Sequence, residues 1–433
     1  MKKQINSISA FQFYQLVRYT TLILIGVVFT KTALSQNEIG EYETFVFIAG
    51  AISFFWLNGL QKALLPLAAK QKNKQSPVFS AFVLLQLFSI IAAAFLFFMQ
   101  PVFTKFLLNG KSIPELILLI VFIVFSVPAN LVEYYYLIEK RNNAIVYYGL
   151  ISFGLQFILV ALPAILGMGI LTVLKGLLFS AILKYVWLWI IFIANKEIKF
   201  SYSFVKEHLK LGGPLIAATF LSGSAQFIDG FIVTSYFDEG TFAVFRYGAR
   251  ELPLAMLLAN ALSNAMLPEF ANRNKLQENL QKLKKSVTKL AHLLFPLTAV
   301  LLLISHWIFP VIFNPEFKQS ATIFNIYLLI IISRLLLPQT ILNGLQLSKP
   351  IMNAAFAELL VNVSLSLLFV EYFGIAGIAF ATFIAYLFEK VYLTVVVKRK
   401  LNIPINEYIP LITYLLYSAL ILIIFIFAEK VLG

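Results

Sequence analysis

Apolar residues in this chain are concentrated in long stretches that short polar segments separate. A helix needs about 20 apolar residues to cross the hydrocarbon core of a bilayer, and thirteen stretches are long enough to do so. The pattern therefore predicts an all-α polytopic membrane protein. We place the transmembrane helices at residues 11–33, 42–68, 77–99, 114–138, 144–167, 169–195, 211–235, 241–267, 287–313, 320–346, 350–372, 374–396 and 408–428.

The polar segments between these stretches alternate in charge. Counting from the N-terminus, every second connecting segment is basic, and together these segments hold 21 of the 34 Lys and Arg residues, whereas the others hold 5. Cytoplasmic loops of membrane proteins carry the excess of positive charge. We therefore predict a cytoplasmic N-terminus and, since the number of spans is odd, a C-terminus on the opposite side.

The longest basic segment, residues 269–286, has a helical pattern of its own. Leu276, Leu280, Leu283 and Val287 fall on one helix face, and lysines surround them. This pattern predicts a short amphipathic helix that lies along the inner leaflet. The alternative is a solvated basic linker.

Composition excludes several classes of protein. The chain is 60% hydrophobic and 12% charged, whereas soluble domains are about 25% charged, so a soluble enzyme is excluded. There is no cysteine, hence no disulfide or thiolate site, and no Gly-rich phosphate loop of an ATPase. We predict a protein that is not an enzyme, has no metal or cofactor and binds no nucleic acid.

The sequence also contains an internal repeat at a spacing of about 200–210 residues. Gly40-Glu41-Tyr42 corresponds to Gly240-Thr241-Phe242, and Ala63-Leu64-Leu65-Pro66 corresponds to Ala265-Met266-Leu267-Pro268. Each repeat has six spans, and because this number is even, both halves enter the membrane in the same direction. Such parallel repeats are a transporter architecture. We predict two six-helix bundles in parallel repeat, at residues 1–200 and 201–397, and one additional transmembrane helix within residues 398–433.

Thirteen Lys, Arg, Asp and Glu residues lie in the interior of the predicted spans, away from their ends, where each costs about 2.5–3.5 kcal/mol to insert and therefore faces a cavity or a partner. Eight are basic and five are acidic, so the spans carry a small positive excess. They are Arg18, Lys62, Lys175, Lys184, Arg246, Arg250, Arg334, Lys390, Glu133, Asp229, Glu251, Glu358 and Glu389.

Arg246 and Arg250 are the most informative of these residues. Four positions apart, they are predicted to share one helix face, where like charges repel, so an anion between or beside them is expected. The guanidinium fork suits phosphate oxygens, and Arg18 in the first half is predicted to complete the anion site. The alternative is a structural pair of Arg246 or Arg250 with Asp229 or Glu251.

The remaining charges have simpler interpretations. Asp229 is expected either to bind a coupling proton or Na⁺, or to neutralise an arginine. Lys390 is close enough to a helix end to extend its ammonium group towards water. We interpret Arg334 and Glu358 as a structural ion pair, and Glu133, Lys175 and Lys184 as another such set.

These patterns resemble the multidrug/oligosaccharidyl-lipid/polysaccharide (MOP) exporter superfamily, and within it the Wzx-type polysaccharide (O-antigen) flippases. The resemblance covers residues 1–397. It rests on Gly59-Leu60 with Ala63-Leu64-Leu65-Pro66, on Ile228-Asp229, on Leu252-Pro253 and on Tyr372-Phe373-Gly374-Ile375-Ala376-Gly377. In that family cationic residues of spans one, two, seven and eight line a central cavity, and Arg18, Arg246 and Arg250 occupy two of those spans, the first and the eighth.

The resemblance implies a flippase that carries undecaprenyl-pyrophosphate-linked repeat units to the outer leaflet of the bacterial cytoplasmic membrane. The pyrophosphate would bind Arg18, Arg246 and Arg250, and Asp229 and Glu251 would serve in coupling or charge balance. Membrane lipids, a polysaccharide polymerase and glycosyltransferases are the implied partners. An ion-coupled drug or small-molecule antiporter of the same fold is the alternative function.

Overall fold

The computed structural model describes residues 7–70, 77–250, 253–271 and 273–433. Throughout these ranges the chain is almost entirely helical and has no β-strand, which confirms the predicted all-α fold. The helices are α1 (Ser7–Phe29), α2 (Gln36–Lys70), α3 (Pro77–Val102), α4 (Leu116–Ala129), α5 (Leu131–Ile138), α6 (Asn142–Ile165), α7 (Ile170–Ala194), α8 (Tyr202–Gly223), α9 (Ala225–Tyr236), α10 (Glu239–Gly248), α11 (Pro253–Ala271), α12 (Leu276–Ile312), α13 (Lys318–Leu328), α14 (Ile331–Arg334), α15 (Pro338–Gly344), α16 (Ser348–Leu401) and α17 (Leu411–Phe427).

Every predicted span coincides with helical structure. Among the described residues, nine helices are long and apolar enough to cross a membrane, and ten if the bent pair Pro315–Arg334 and Pro338–Gly344 counts as one span. Helices are favoured because they satisfy every backbone N–H and C=O within the segment, where lipid offers no partner. The protein is a multi-pass membrane protein, while the arrangement of twelve helices plus one stays a prediction.

A single glycine separates the predicted eleventh and twelfth spans. α16 runs over 54 residues, but Gly374 inside it has φ 58° and ψ −141°, which is not helical. Glycine adopts this positive φ without the steric cost that a Cβ brings. The helix is therefore broken at the position where the sequence predicted a boundary between two spans.

Four predicted spans are interrupted instead of continuous. The fourth is divided into α4 and α5, the seventh into α8 and α9, the eighth into α10 and α11, and the tenth into α13, α14 and α15 with a bend of 47°. Pro338 and Pro253 each begin a helix after an interruption, because proline lacks the N–H of an intrahelical hydrogen bond and disfavours helix in the preceding residue.

The amphipathic segment is helical, but the predicted position along the inner leaflet is wrong. Residues from Leu276 onwards belong to α12, a helix of 37 residues that continues into the predicted ninth span. At 1.5 Å per residue this helix is about 55 Å long, well beyond the thickness of a hydrocarbon core. Leu280, Leu283 and Val287 are fully buried. The apolar face is therefore covered by protein, and hydropathy alone could not distinguish protein from lipid as its neighbour.

The helices form two compact units. The first contains residues 1–223 and 234–243, and the second contains residues 224–233 and 244–433. In the first unit α2 packs along α8 so closely that a Cβ on Gly59 would overlap Ile216. In the second unit α12 packs against α13 and α17. The domains predicted from the repeat, residues 1–200, 201–397 and 398–433, stay a prediction.

Candidate functional site

Arg246 and Arg250 do not share a helix face, so that part of the sequence prediction is wrong. α10 ends at Gly248, and the backbone N–H of Arg250 donates to the carbonyl of Gly248 at 2.6 Å. A Cβ on Gly248 would overlap the carbonyl oxygen of Ser320, so only glycine permits this approach. The guanidinium of Arg250 lies 5.3 Å from the centre of the Tyr247 ring, a cation–π contact.

Both arginines are half-buried and lie at the end of a broken helix. Broken helices in transporters present their exposed backbone ends and nearby side chains to substrates and coupling ions. The geometry therefore keeps Arg246 and Arg250 as candidates for anion binding, although as separate groups and not as a stacked pair. Glu251, the other predicted charge at this position, lies outside the described residues.

Arg18 lies on α1 in the first unit, and its side chain is exposed. Its charge acts on Glu133 and Lys184, which lie in the interior of the same unit. Glu133 is 2% exposed, and the ammonium of Lys184 donates to the Gln156 amide oxygen at 2.5 Å. Arg18 is thus one member of a group of charges that the sequence interpretation had kept apart, whereas Lys175 is exposed.

Asp229 is the most enclosed of the predicted site residues, with 1% of its surface exposed. It lies on α9 in the second unit and accepts hydrogen bonds from the Tyr327 hydroxyl, at 3.2 Å, and from the Thr382 hydroxyl. The amide of Asn362 donates to Thr382 at 3.1 Å. These donors are neutral, so they stabilise a carboxylate by hydrogen bonding without cancelling its charge.

Two acceptor atoms in this polar group have no hydrogen-bond donor within the described part of the chain. They are Oδ1 of Asp229 and Oδ1 of Asn362, and both are buried. A buried acceptor without a donor is costly, and a proton or a monovalent cation would remove that cost. No cluster of three or more histidine or carboxylate side chains that could hold a metal ion occurs among the described residues.

A second polar cluster of the same unit lies beside the bend of the tenth span. Lys390 is 7% exposed and donates to Glu389 at 2.7 Å and to Gln339 at 2.8 Å. The prediction that Lys390 extends towards water is therefore wrong: its ammonium group has partners inside the protein. The guanidinium of Arg334 lies 5.0 Å from the centre of the Tyr386 ring.

A sequence signal for this cluster exists at helical spacing. Before the kink of α16 the polar residues Glu358, Asn362 and Ser366 recur every four positions, and after it Thr382, Tyr386 and Lys390 do the same. Residues four apart share one helix face. Two polar stripes on otherwise apolar spans would have predicted a polar interior, and the hydrogen bond from Asn362 to Thr382 joins them.

The repeat-related turns meet in the first unit. A Cβ on Gly40 would overlap the backbone of Glu239, and the N–H of Gly240 donates to the Asn37 side chain at 3.1 Å. Lys111 forms a salt bridge with Glu239 at 2.7 Å. We call this contact the glycine latch (Asn37, Gly40, Lys111, Glu239 and Gly240). Gly40 thus lies against the turn that carries Glu239, and Gly240 lies against the turn that carries Asn37.

Comparison with solved structures shows which fold this is. A structure described as "Lipid II flippase MurJ, inward closed conformation" superposes with a TM-score of 0.68 at 20% identity, over 96% of this chain and 92% of that one. An inward-facing multidrug resistance MATE family transporter of the MOP superfamily superposes with a TM-score of 0.62 at 13% identity, over 92% and 98% of the two chains. At these identities the matches show the fold alone, and this is the fold that the resemblance stated from the sequence implied.

Comparison of the sequence with protein families gives a more specific result. A comparison with curated proteins finds no match. A family model described as "Polysaccharide biosynthesis protein" matches residues 32–322, and a second model of the same description matches residues 271–428. Because the first match alone covers well over half of the chain, this protein belongs to the polysaccharide biosynthesis protein family.

Proposed function

We propose that this protein is a flippase for lipid-linked oligosaccharides. It moves undecaprenyl-pyrophosphate-linked repeat units from the inner to the outer leaflet of the bacterial cytoplasmic membrane, with its N-terminus in the cytoplasm, and so supplies the assembly of cell-surface polysaccharide. Membership of a polysaccharide biosynthesis family, in a chain with a transporter fold, carries the proposal. Such a protein transports its substrate without changing it chemically, so it is not an enzyme.

The pyrophosphate binds to Arg18, Arg246 and Arg250. Half-buried or membrane-embedded arginines are costly unless they have a function, and the guanidinium group binds phosphate oxygens in a bidentate manner. The position of Arg250 beyond the last turn of α10, with its guanidinium against Tyr247, supports this role because the side chain is held at a helix break. The polyprenyl tail stays in lipid during transport.

Asp229 binds the coupling ion, a proton or Na⁺, and Glu251 contributes to charge balance. The supporting observation is the orphaned, buried carboxylate oxygen of Asp229 among neutral donors. Transport by alternating access also requires contacts that open and close, and the glycine latch supplies one within the first unit. We assign it as a gate on the predicted outer side.

Complementation of a flippase-deficient strain with a defined repeat unit tests this function. We expect the parental chain to restore surface polysaccharide and Arg250→Glu, at equal expression, to abolish it, because a carboxylate repels the pyrophosphate. Arg399→Glu is the matched control, since Arg399 is exposed beyond the predicted twelfth span, and it should complement fully. Full complementation by Arg250→Glu would show that Arg250 is not part of the anion site.

The same strains distinguish the flippase function from the alternative function, a drug antiporter. It requires that overexpression of the parental chain raises resistance to cationic drugs. We expect no such increase, because the basic residues in the predicted spans outnumber the acidic ones. Raised resistance without complementation would replace the flippase proposal.

A further inference from the structure

One side of α12 is exposed over most of its length and changes from basic to apolar along the helix. Lys285, Lys289 and His292 are exposed and follow one another at steps of four and three residues, which places them on the same side. We call these three residues the basic face. The same side continues with exposed apolar residues, which are Pro296, Val300, Leu303 and Trp307. This side of α12 therefore has the polarity of a phospholipid, with a charged end and an apolar length.

The length of this side matches the thickness of a bilayer. Trp307 lies 18 residues after Lys289, which is about 27 Å along a helix, and the hydrocarbon core is about 30 Å thick. Trp307 is 71% exposed, and tryptophan is enriched at membrane–water interfaces. With Trp307 at one interface, Lys289 and His292 lie at the headgroup level of the other, on the side that the sequence predicts to be cytoplasmic.

The lysines of the basic face have no anionic partner within the described part of the chain. The neighbouring lysines do have partners: Lys282 forms a salt bridge with Glu269 at 2.6 Å, and Lys284 donates to a backbone carbonyl at 2.7 Å. The only carboxylate of α12, that of Glu278, lies two helical turns, about 10 Å, before Lys285. Like charges on one side of a helix repel, so an anion from outside the chain stabilises the basic face.

A second helix holds the imidazole of the basic face in place. Nδ1 of His292 and the hydroxyl of Tyr417 on α17 are hydrogen-bonded at 2.8 Å. The Tyr417 ring in turn stacks on Phe295, with ring centroids 5.1 Å apart. When the hydroxyl donates to Nδ1, Nε2 carries the imidazole proton. Nε2 has no partner among the residues that the structure describes, so it is a donor for a phosphate oxygen.

The two helices lie side by side in the same direction across the membrane. Beyond the contact of His292 with Tyr417, His306 of α12 lies 2.9 Å from Glu429, which follows α17. The residue numbers increase together along both helices, so α12 and α17 begin at the same side of the membrane. The basic face therefore lies beside the start of a helix pair.

We propose that the basic face binds the headgroup of an anionic phospholipid from the surrounding leaflet. The phosphate lies against Lys285, Lys289 and Nε2 of His292, and the acyl chains follow the apolar part of the same side of α12. Basic sites between membrane helices bind anionic headgroups of this kind, and an ammonium group binds phosphate as a point charge. The site uses none of the residues proposed to bind pyrophosphate, and it does not depend on the flippase function.

Fluorescence quenching within the bilayer tests this site without any transported substrate. The chain has no cysteine, so Val300→Cys provides one labelling position on the apolar part of the same side. The labelled full chain is reconstituted in phosphatidylcholine vesicles with a small fraction of phosphatidylglycerol that has brominated acyl chains. We expect several-fold more quenching than an equal fraction of brominated phosphatidylcholine gives, because a bound lipid holds its bromine atoms beside the label.

Two double variants that each remove two positive charges decide whether position or net charge matters. Lys285→Gln/Lys289→Gln should weaken phosphatidylglycerol binding about 25-fold, since each lysine near a membrane surface changes the affinity for anionic lipid about fivefold. Lys398→Gln/Lys400→Gln, at the exposed end of α16, should keep the parental quenching. Equal quenching by the two brominated lipids in the parental chain, or an equal loss in the two variants, would overturn the proposal.

Competition distinguishes the phospholipid from a transported lipid as the occupant. Unbrominated polyprenyl diphosphate is added to the vesicles that contain brominated phosphatidylglycerol. We expect the quenching to persist at equal mole fractions of the two lipids. Displacement by polyprenyl diphosphate at a lower mole fraction than that of phosphatidylglycerol would refute the assignment to phospholipid and give the basic face to the transported lipid.

Discussion

Replacement of Gly40 by alanine tests whether the glycine latch is a closed gate. In the folded protein an ideal Cβ on Gly40 would lie well within 3.0 Å of the Glu239 backbone, a separation that real Cβ contacts essentially never show. The obstructing atoms belong to the backbone, so no side-chain rotation relieves the overlap. The turn that carries Glu239 has to retreat by at least about 1 Å.

The energetic effect follows from the contacts that this retreat disturbs. Overpacking of a tight contact costs about 1–3 kcal/mol. The Lys111–Glu239 salt bridge is partly exposed, at 37% and 24% of the two side chains, and contributes less than about 1 kcal/mol. We expect Gly40→Ala to destabilise the closed latch by about 2 kcal/mol, which changes the ratio of closed to open molecules about 30-fold.

Cross-linking measures this ratio, because the chain contains no cysteine of its own. A Lys111→Cys/Glu239→Cys double variant in membranes is treated with a short bifunctional thiol reagent, with and without Gly40→Ala. We expect much less cross-linking with the alanine. Gly154→Ala is the control, since no atom lies within 4 Å of the Cβ position there. Equal cross-linking in the Gly40→Ala and parental backgrounds would refute the idea that close packing holds the latch shut.

Two further predictions concern stability and pH. Tyr414→Phe removes the hydroxyl that donates at 2.6 Å to the carbonyl of Ile332, beside the interrupted tenth span. We expect it to lower the free energy of unfolding in detergent by about 1–2 kcal/mol. Tyr417→Phe, which removes a more exposed hydrogen bond, should lower it less, and equal losses in the two variants would contradict this account. Asp238 lies in the turn next to the glycine latch and accepts hydrogen bonds from the Thr241 side chain and, at 2.7 Å, from the Thr241 backbone N–H. These hydrogen bonds lower the pKa of Asp238. The stabilisation is therefore complete above the ordinary pKa of about 4 and is lost as the pH falls through the lower folded-state pKa. The free energy of unfolding in detergent should carry this dependence at strongly acidic pH, and Asp238→Asn should lose it.

The apolar stretches predicted the helices because a span in lipid has few alternatives. Backbone hydrogen bonds must be made within the segment, so about 20 apolar residues become a helix regardless of their neighbours. The repeat was also visible in sequence, and its two glycine turns, at Gly40 and Gly240, touch in the structure. The kink at Gly374 followed from the same kind of local information.

The partners of the charged residues were not predictable in the same way. Lys390 was expected to reach water, yet it is bonded to Glu389 and Gln339 inside the protein. Arg246 and Arg250 were expected to share a helix face, yet α10 ends between them. Hydropathy averaged over a span does not register an interruption of a few residues, although Gly248 and Pro253 were signals of this one.

The sequence by itself thus determined the membrane-spanning helices, the repeat and the presence of costly charges within the spans. The tertiary structure decided where the helices are interrupted and which residues surround a buried charge, such as Tyr327 and Thr382 around Asp229. The physical reason is the distance along the chain over which each property is determined. Burial of a helix in lipid depends on the composition of the segment itself, whereas the ionisation and the partner of a buried charge depend on residues up to 153 positions away that only packing brings together.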